Sequence, residues 1–348
     1  MSFFQHFLHN PRPGFALALG TLIFTFFVVG LGAFTRLVDA GLGCPDWPGC
    51  YGHLLWPNQP DEIAAANRAF PDMPVIAGKA WPEMLHRYAA GLLGLLILAL
   101  AAVAVWQRKV LGYPFRLPLF LLLLVVWQAL FGMWTVTLKL WPQVVTIHLL
   151  GGFATLVLLS VLVQRLSTYR WQLNAPVQTR LRRLRPWMFG GIALVAVQVG
   201  LGGWLAANYA AFGCPPGEFP ACHGSFWPPM DFAQGFNIAQ RIGPNYLGGL
   251  MDSEARTAIH YAHRAGALAV TLYLLGLAVA CLRLNYPPLN SLTHALLAAL
   301  ALQLMLGIGN ILLLVPLWLA VAHNLAGALL LALLAALAVQ SMQARLEE

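Results

Sequence analysis

Four histidines and one carboxylate carry most of the chemistry that this sequence can offer. His86, His148, His263 and His323 each fall inside a long apolar run, and Glu83 stands three residues before His86. Ionisable side chains in such runs are costly and usually functional. The four form two matched pairs, because His86 and His263 are 177 residues apart and His148 and His323 are 175 apart. Two neutral imidazoles on opposing helices at one depth are what bis-imidazole haem ligation needs. Small residues nearby would let a flat macrocycle approach the backbone: Gly91 and Gly94 follow His86, Gly151 and Gly152 follow His148, and Gly266 and Gly327 follow His263 and His323. Zinc would need more ligands clustered at that depth, where Glu83 is the acidic candidate. A hydrogen bond across helices would explain one buried histidine; two matched pairs favour haem.

The elements that must hold these residues are transmembrane helices. Of the 348 residues, 59% are hydrophobic and 9% charged, against roughly 25% charged in a soluble domain. Several apolar stretches exceed the ~20 residues that a bilayer crossing requires. The pattern predicts helices near 14–36, 84–106, 117–139, 142–165, 187–207, 257–281, 289–313 and 315–341. The run from His294 to Gln340 is too long for one crossing and is divided around Gly307, Gly309, Asn310 and Pro316; Lys139, Trp141 and Pro142 divide the third helix from the fourth.

The second half of the chain echoes the first. Gly30-Leu31-Gly32-Ala33-Phe34 aligns with Gly200-Leu201-Gly202-Gly203-Trp204, Cys44 with Cys214, His86-Arg87 with His263-Arg264, and Gln128 and Gly132 with Gln303 and Gly307. So many correspondences in order signal an internal repeat. With four helices per half, both halves start on the same side, as parallel repeats about an axis along the membrane normal. The expected fold is therefore an all-α integral membrane protein, with eight transmembrane helices arranged as two tandem, pseudo-twofold-related four-helix bundles, residues 1–175 and 176–348. Facing helices of such bundles are where cofactor sites are built.

The net charge of +8 does not point to nucleic acid. Its basic residues cluster between apolar spans, as Arg108, Lys109 and Arg116 and as Arg180, Arg182, Arg183 and Arg185, which is the positive-inside signal. With Arg12, Arg283 and Arg345 they place both termini in the cytoplasm. Two long loops, about 37–82 and 208–256, then lie on the outer face as caps, since irregular backbone cannot face hydrocarbon. Disulfides persist outside the cytosol, and the short spacings pair Cys44 with Cys50 and Cys214 with Cys222; Cys281 stands alone. No C-x-x-C-H occurs to attach haem covalently. Arg87, Arg264 and Arg36 are placed to meet haem propionates. His53 and His223 fall in the outer loops, His294 near a cytoplasmic helix end, and His6 and His9 in the N-terminal tail, and none receives a role.

The halves differ beside the first histidine of each pair, where Glu83 in one corresponds to His260 in the other. Such a difference suits a reacting porphyrin in one half and a resident electron carrier in the other.

At this point the residues resemble those of a known family. Thr35-Arg36-Leu37 followed by Gly41-Leu42-Gly43-Cys44-Pro45-Asp46-Trp47-Pro48-Gly49-Cys50-Tyr51-Gly52 resembles the first outer loop of haem A synthases. Glu83-Met84-Leu85-His86-Arg87, Thr146-Ile147-His148, His260-Tyr261-Ala262-His263-Arg264 and Ala322-His323-Asn324 are similar to that family's histidine motifs. The resemblance implies a bacterial inner-membrane enzyme that oxidises the C8 methyl of haem O to a formyl group by successive hydroxylations. It implies that His263 and His323 bind a resident haem b, that His86 and His148 flank haem O, and that Glu83 is the acidic, catalytic residue beside the substrate. Haem O synthase and cytochrome oxidase are the partners implied by the pathway, and membrane lipid surrounds an enzyme that can form oligomers. The competing readings are a di-haem b electron-transfer protein, such as a quinone-linked cytochrome, and a transporter. Transporters break helices around a site near the midplane, whereas these histidines lie high in the membrane.

Overall fold

A computed structural model describes residues 11–215 and 217–347; His6 and His9 lie outside the described residues. Eight helices among them are long and apolar enough to span a bilayer. They are α1 (Phe15–Leu37), α2 (Ala80–Trp106), α3 (Arg116–Thr137), α4 (Pro142–Leu166), α5 (Ala175–Ala207), α6 (Ser253–Leu282), α7 (Pro287–Leu312) and α8 (Leu317–Gln343). Helices satisfy their own backbone groups, which is why apolar runs of this length take that form in lipid.

Seven helices lie close to the expected spans, while α5 begins twelve residues earlier than the apolar pattern suggests. Its arginine-rich start reads as a connection by hydropathy. Locally it is a well-started helix: Asn174 is the N-cap, its side chain accepts from the Val177 amide at 3.0 Å, and a proline occupies the first turn. Pro186 is accommodated within the helix.

Contacts group the helices into two rings. In the first, α1 meets α2 and α4, and α3 meets α2 and α4; in the second, α5 meets α6 and α8, and α7 meets α6 and α8. Between the rings, α8 packs on α1 and α4, and α5 packs on α4. The inner helix α8 is the most buried of the eight. Without a hydrophobic driving force in lipid, close backbone approach holds such an interface. Gly30 of α1 faces Leu325 of α8, where a Cβ would lie 3.5 Å from Leu325 Cδ1. The equivalent Gly200 of α5 faces the equivalent Leu150 of α4 at 3.8 Å.

The α3–α4 and α7–α8 turns are also alike. Lys139 and Leu140 in one, and Leu314 and Val315 in the other, all have positive φ. The Leu140 amide donates to Thr135 and the Val315 amide to Asn310, each at 2.8 Å.

Both described ends lie on one face. The Arg12 amide donates to Leu166, and Gln172–Leu173 pairs with Arg345–Leu346 as a two-residue parallel ladder. The long loops cover the opposite face. The second loop reaches over the first ring: the Tyr246 amide donates to Lys139 at 3.0 Å, and the Trp141 indole donates to the Gln240 carbonyl at 3.1 Å.

Candidate functional site

Each of the four histidines sits on a glycine of the next helix in its ring. A Cβ on Gly32 (α1) would lie 2.9 Å from His86 Cε1 on α2, and one on Gly132 (α3) 3.4 Å from His148 Cε1 on α4. In the second ring, Gly202 (α5) faces His263 Cε1 on α6 at 3.1 Å, and Gly307 (α7) faces His323 Cε1 on α8 at 3.0 Å. The absence of a side chain at each glycine leaves room for the ring. His86, His148 and His323 each stand six residues into their helix and His263 ten, depths of about 9 and 15 Å.

Each ring thus carries one histidine pair, His86 with His148 and His263 with His323. The Nδ1 atoms of His86, His148 and His323 are buried and have no hydrogen-bond partner, although all four residues remain partly accessible. A buried polar atom with no partner needs an explanation such as an ion or ligand. No cluster of three or more His, Cys, Asp or Glu among the described residues could hold a metal ion.

Three glutamines back these seats. Gln198 Nε2 donates to the His263 carbonyl at 2.9 Å and stands 3.1 Å from its Nδ1. Gln303 Nε2 stands 3.2 Å from His323 Nε2. Gln128 lies against Gly151, where a Cβ would fall 1.7 Å from its Nε2, and that Nε2 has no partner. The Gln128 and Gln303 correspondence is visible in the sequence, but Gln198 was missed. Its signal is Gln-x-x-x-Gly, repeated as Gln128/Gly132, Gln198/Gly202 and Gln303/Gly307.

Above the histidines, both loops form the same disulfide-closed cap. Cys44 is bonded to Cys50 and Cys214 to Cys222. Each ring contains a cis proline, Pro48 or Pro220, and ends in a bridge, Cys50 with His53 or Cys222 with Ser225. Asp46 accepts from the Tyr51 and Gly52 amides, and Glu218 accepts from the Gly224 amide. Gly43 and Gly213 admit the start of the following helix: a Cβ would fall 2.2 Å from the Lys79 carbonyl oxygen and 2.5 Å from that of Arg256.

The arginines expected to meet propionates also hold backbone carbonyls. Arg87 Nη1 donates to the carbonyls of Asp46 (3.0 Å), Pro48 (3.2 Å) and Gly49 (2.5 Å), and Nη2 pairs with Glu83 Oε1 at 2.5 Å. Arg264 likewise donates to Pro220 and Ala221. A guanidinium fork suits several carbonyls converging in a tight loop. Arg36 donates to the Ala206 carbonyl at 2.6 Å and lies over the Tyr209 ring.

Glu83 is buried, and its Oε2 accepts from the Cys44 amide at 3.0 Å. It therefore ties the first cap to the helix that carries His86. His260, in the corresponding place, is buried, and its Nδ1 has no hydrogen-bond partner. Of the unassigned histidines, His223 bonds Gly213 and Thr257 in the second cap.

The sequence profile of a family described as cytochrome oxidase assembly protein matches residues 15–335, from α1 into α8. The chain belongs to that family. Within it, the chain is 43% identical to a haem A synthase of Shewanella oneidensis, over 89% of this chain and 91% of the relative. It is 30% identical to the haem A synthase of Sphingopyxis alaskensis, over 94% and 92%, and 28% identical to that of a Caulobacter species, over 95% and 96%. The matched stretch, residues 15–335, takes in both histidine pairs and both caps.

Proposed function

We propose that this chain is a haem A synthase, a multi-pass enzyme of the bacterial plasma membrane that oxidises the C8 methyl of haem O to the formyl group of haem A. The observation that carries the reading is the doubled site, two histidine pairs on glycine seats, one pair in each ring, in a chain that is 43% identical to a haem A synthase over most of its length.

The residues present fit haem. Neutral imidazoles are suitable axial ligands, three of the four leave a buried Nδ1 without a partner, and a side chain at Gly32, Gly202 or Gly307 would press on the ring. His263 and His323 would hold a resident haem b, and His86 and His148 would flank haem O. When bound, haem iron supplies the oxidising chemistry that no side chain here can.

The chain's own residues position and enclose. The glycines set the imidazoles, and Gln198 and Gln303 stand beside those of the second ring. The caps, each closed by its disulfide and gripped by Arg87 or Arg264, cover the outer ends of the rings and limit water there. Glu83 is the acidic residue of the substrate half, one helical turn from His86, and acts through the loop it holds as well as through its charge. Residues 1–175 are then the substrate half and 176–348 the cofactor half. The basic face carrying both termini is cytoplasmic, which puts the caps and disulfides outside. Haem O synthase and the recipient oxidase are the partners that this chemistry requires before and after it.

The test is expression in cells that make haem O but lack a haem A synthase. The reading predicts haem A in the extracted pigments, and its loss in His86→Ala and His148→Ala. Haem O persisting unchanged beside well-expressed, folded protein would overturn it.

A further inference from the structure

Both caps carry an exposed apolar tip at the same place. Leu54 and Phe226 each stand four residues after the second cysteine of a disulfide ring. Leu54 is 85% exposed, Phe226 and Trp227 are each 72% exposed, and Leu55 is exposed as well. Residues 47–60 and 219–230, which contain the tips, hold no Asp, Glu, Lys or Arg. Large apolar side chains gathered on a surface without charge mark a contact with a partner or a membrane.

The contacts beneath the tips tell which. Tyr88 of α2 donates its hydroxyl to the Leu54 carbonyl, and Tyr261 of α6 donates to the Phe226 carbonyl at 3.1 Å. The Trp227 ring meets the Tyr261 ring edge-on, with centroids 5.5 Å apart. Each tyrosine stands eight residues into its helix, about 12 Å along the axis. Each also belongs to a stripe along one helix face. On α2, Trp81, Leu85, Tyr88, Leu92 and Leu95 are all exposed and recur at helical spacing. On α6, Tyr261 heads a stripe that runs through the exposed Ala265, Leu268, Leu272 and Leu275. On a transmembrane helix, such an apolar stripe with no protein against it faces lipid. The tips therefore rest on the lipid-facing sides of α2 and α6, below the helix starts rather than above them.

The backbone of each tip suits that place, since backbone groups in lipid must be satisfied internally. Cys50 and His53 exchange amide-to-carbonyl bonds at 2.9 and 3.0 Å, and Cys222 and Ser225 at 2.9 and 3.1 Å. The tyrosines take the next carbonyl of each chain, and the Trp227 amide donates to the Ser225 hydroxyl at 3.0 Å. Tyr and Trp are also the side chains that membrane interfaces favour.

We propose that Leu54–Leu55 and Phe226–Trp227 are membrane-inserted tips, which sink into the boundary between headgroups and acyl chains on the cap side and fasten both disulfide caps to the bilayer. The occupant is lipid, because each tip continues the lipid-facing stripe on which it rests. Apolar area buried in that boundary supplies the binding.

The experiment uses the full-length protein with its haems in lipid nanodiscs. Leu54→Cys and Phe226→Cys are labelled one at a time with a thiol-specific nitroxide, and the parent serves as the blank because Cys281 is buried. Power-saturation electron paramagnetic resonance compares collisions with oxygen, which concentrates in the bilayer, and with a water-soluble nickel chelate. Leu95→Cys on the α2 stripe marks lipid, and Ala65→Cys on the exposed side of the cap helix Pro60–Ala69 marks water. Both tip labels are expected to favour oxygen over nickel, as at position 95. A nickel-dominated signal at either tip, as at position 65, overturns the proposal. Shielding of either tip from both agents overturns it too, because protein rather than lipid would then cover the tip. If a cysteine variant does not fold, Trp227→Phe in vesicles decides. The emission that this variant loses relative to the parent should be quenched by brominated lipid and not by aqueous iodide, and the reverse overturns the proposal.

Discussion

Arg87 and Glu83 form an ion pair at 2.5 Å whose two members also hold the same disulfide loop, Glu83 through the Cys44 amide and Arg87 through the carbonyls of Asp46, Pro48 and Gly49. Their side chains are only 6% and 13% exposed. Removing one partner of such a pair leaves an uncompensated buried charge, at about 3–5 kcal/mol. Arg87→Ala should therefore lower the thermal unfolding temperature and expose residues 46–49 to proteolysis. Arg87→Lys keeps the charge but not the fork, and should fall between the two in the same assays.

Glu83→Gln keeps the shape and one acceptor while removing the charge. It should reduce haem A formation at least about tenfold, the effect of about 1.4 kcal/mol on a barrier, while haem b content stays at the parental level. Full haem A production by this variant would remove Glu83 from the reaction.

The glycine seats predict a sharp positional effect. Gly202→Ala would put a methyl 3.1 Å from His263 Cε1, whereas Gly20→Ala on α1 meets nothing within 4 Å. The first should lose haem b and the second should retain it, as read from the reduced-minus-oxidised absorbance per mole of folded protein.

Asp39 and Tyr209 occupy corresponding places in the two halves and hydrogen-bond each other at 3.0 Å. The bond lies where the halves meet, beside Arg36. Tyr209→Phe should cost about 1 kcal/mol of stability, a small fall in unfolding temperature with no change in haem identity.

Outside the membrane, the short helix Pro60–Ala69 in the first cap carries a pH dependence. The Asn58 and Gln59 amides donate to Glu62 and hold its carboxyl below the usual carboxylate range. A depressed folded pKa contributes stability above the unfolded value and loses it as pH falls through the folded one. Amide exchange in residues 60–69 should therefore rise relative to its intrinsic rate on acidification below about pH 4.5, the ordinary glutamate value, and Glu62→Gln should abolish that dependence.

Much of the fold is legible because lipid allows few solutions: long apolar runs must be helices, and the spacing of His86, His148, His263 and His323 marks the repeat. The start of α5 was not legible, because its arginines mask a helix that Asn174 and the following proline begin. The roles of Arg87 and Arg264 were hidden for another reason. Their partners are backbone carbonyls in loops whose path depends on the disulfides, and no sequence spacing reports a carbonyl's direction. The likeness of the caps was equally obscured, since the second disulfide ring is two residues longer than the first.

The central claim is that one ring keeps a haem and the other processes one. The most direct measurement is the haem content of the purified protein, extracted and separated by chromatography, in the parent and in His263→Ala and His148→Ala. The account predicts about one equivalent of haem b together with haem O and haem A in the parent. It predicts selective loss of haem b in His263→Ala, and of haem O and haem A in His148→Ala. Two equivalents of haem b, with no haem O or haem A, would contradict it.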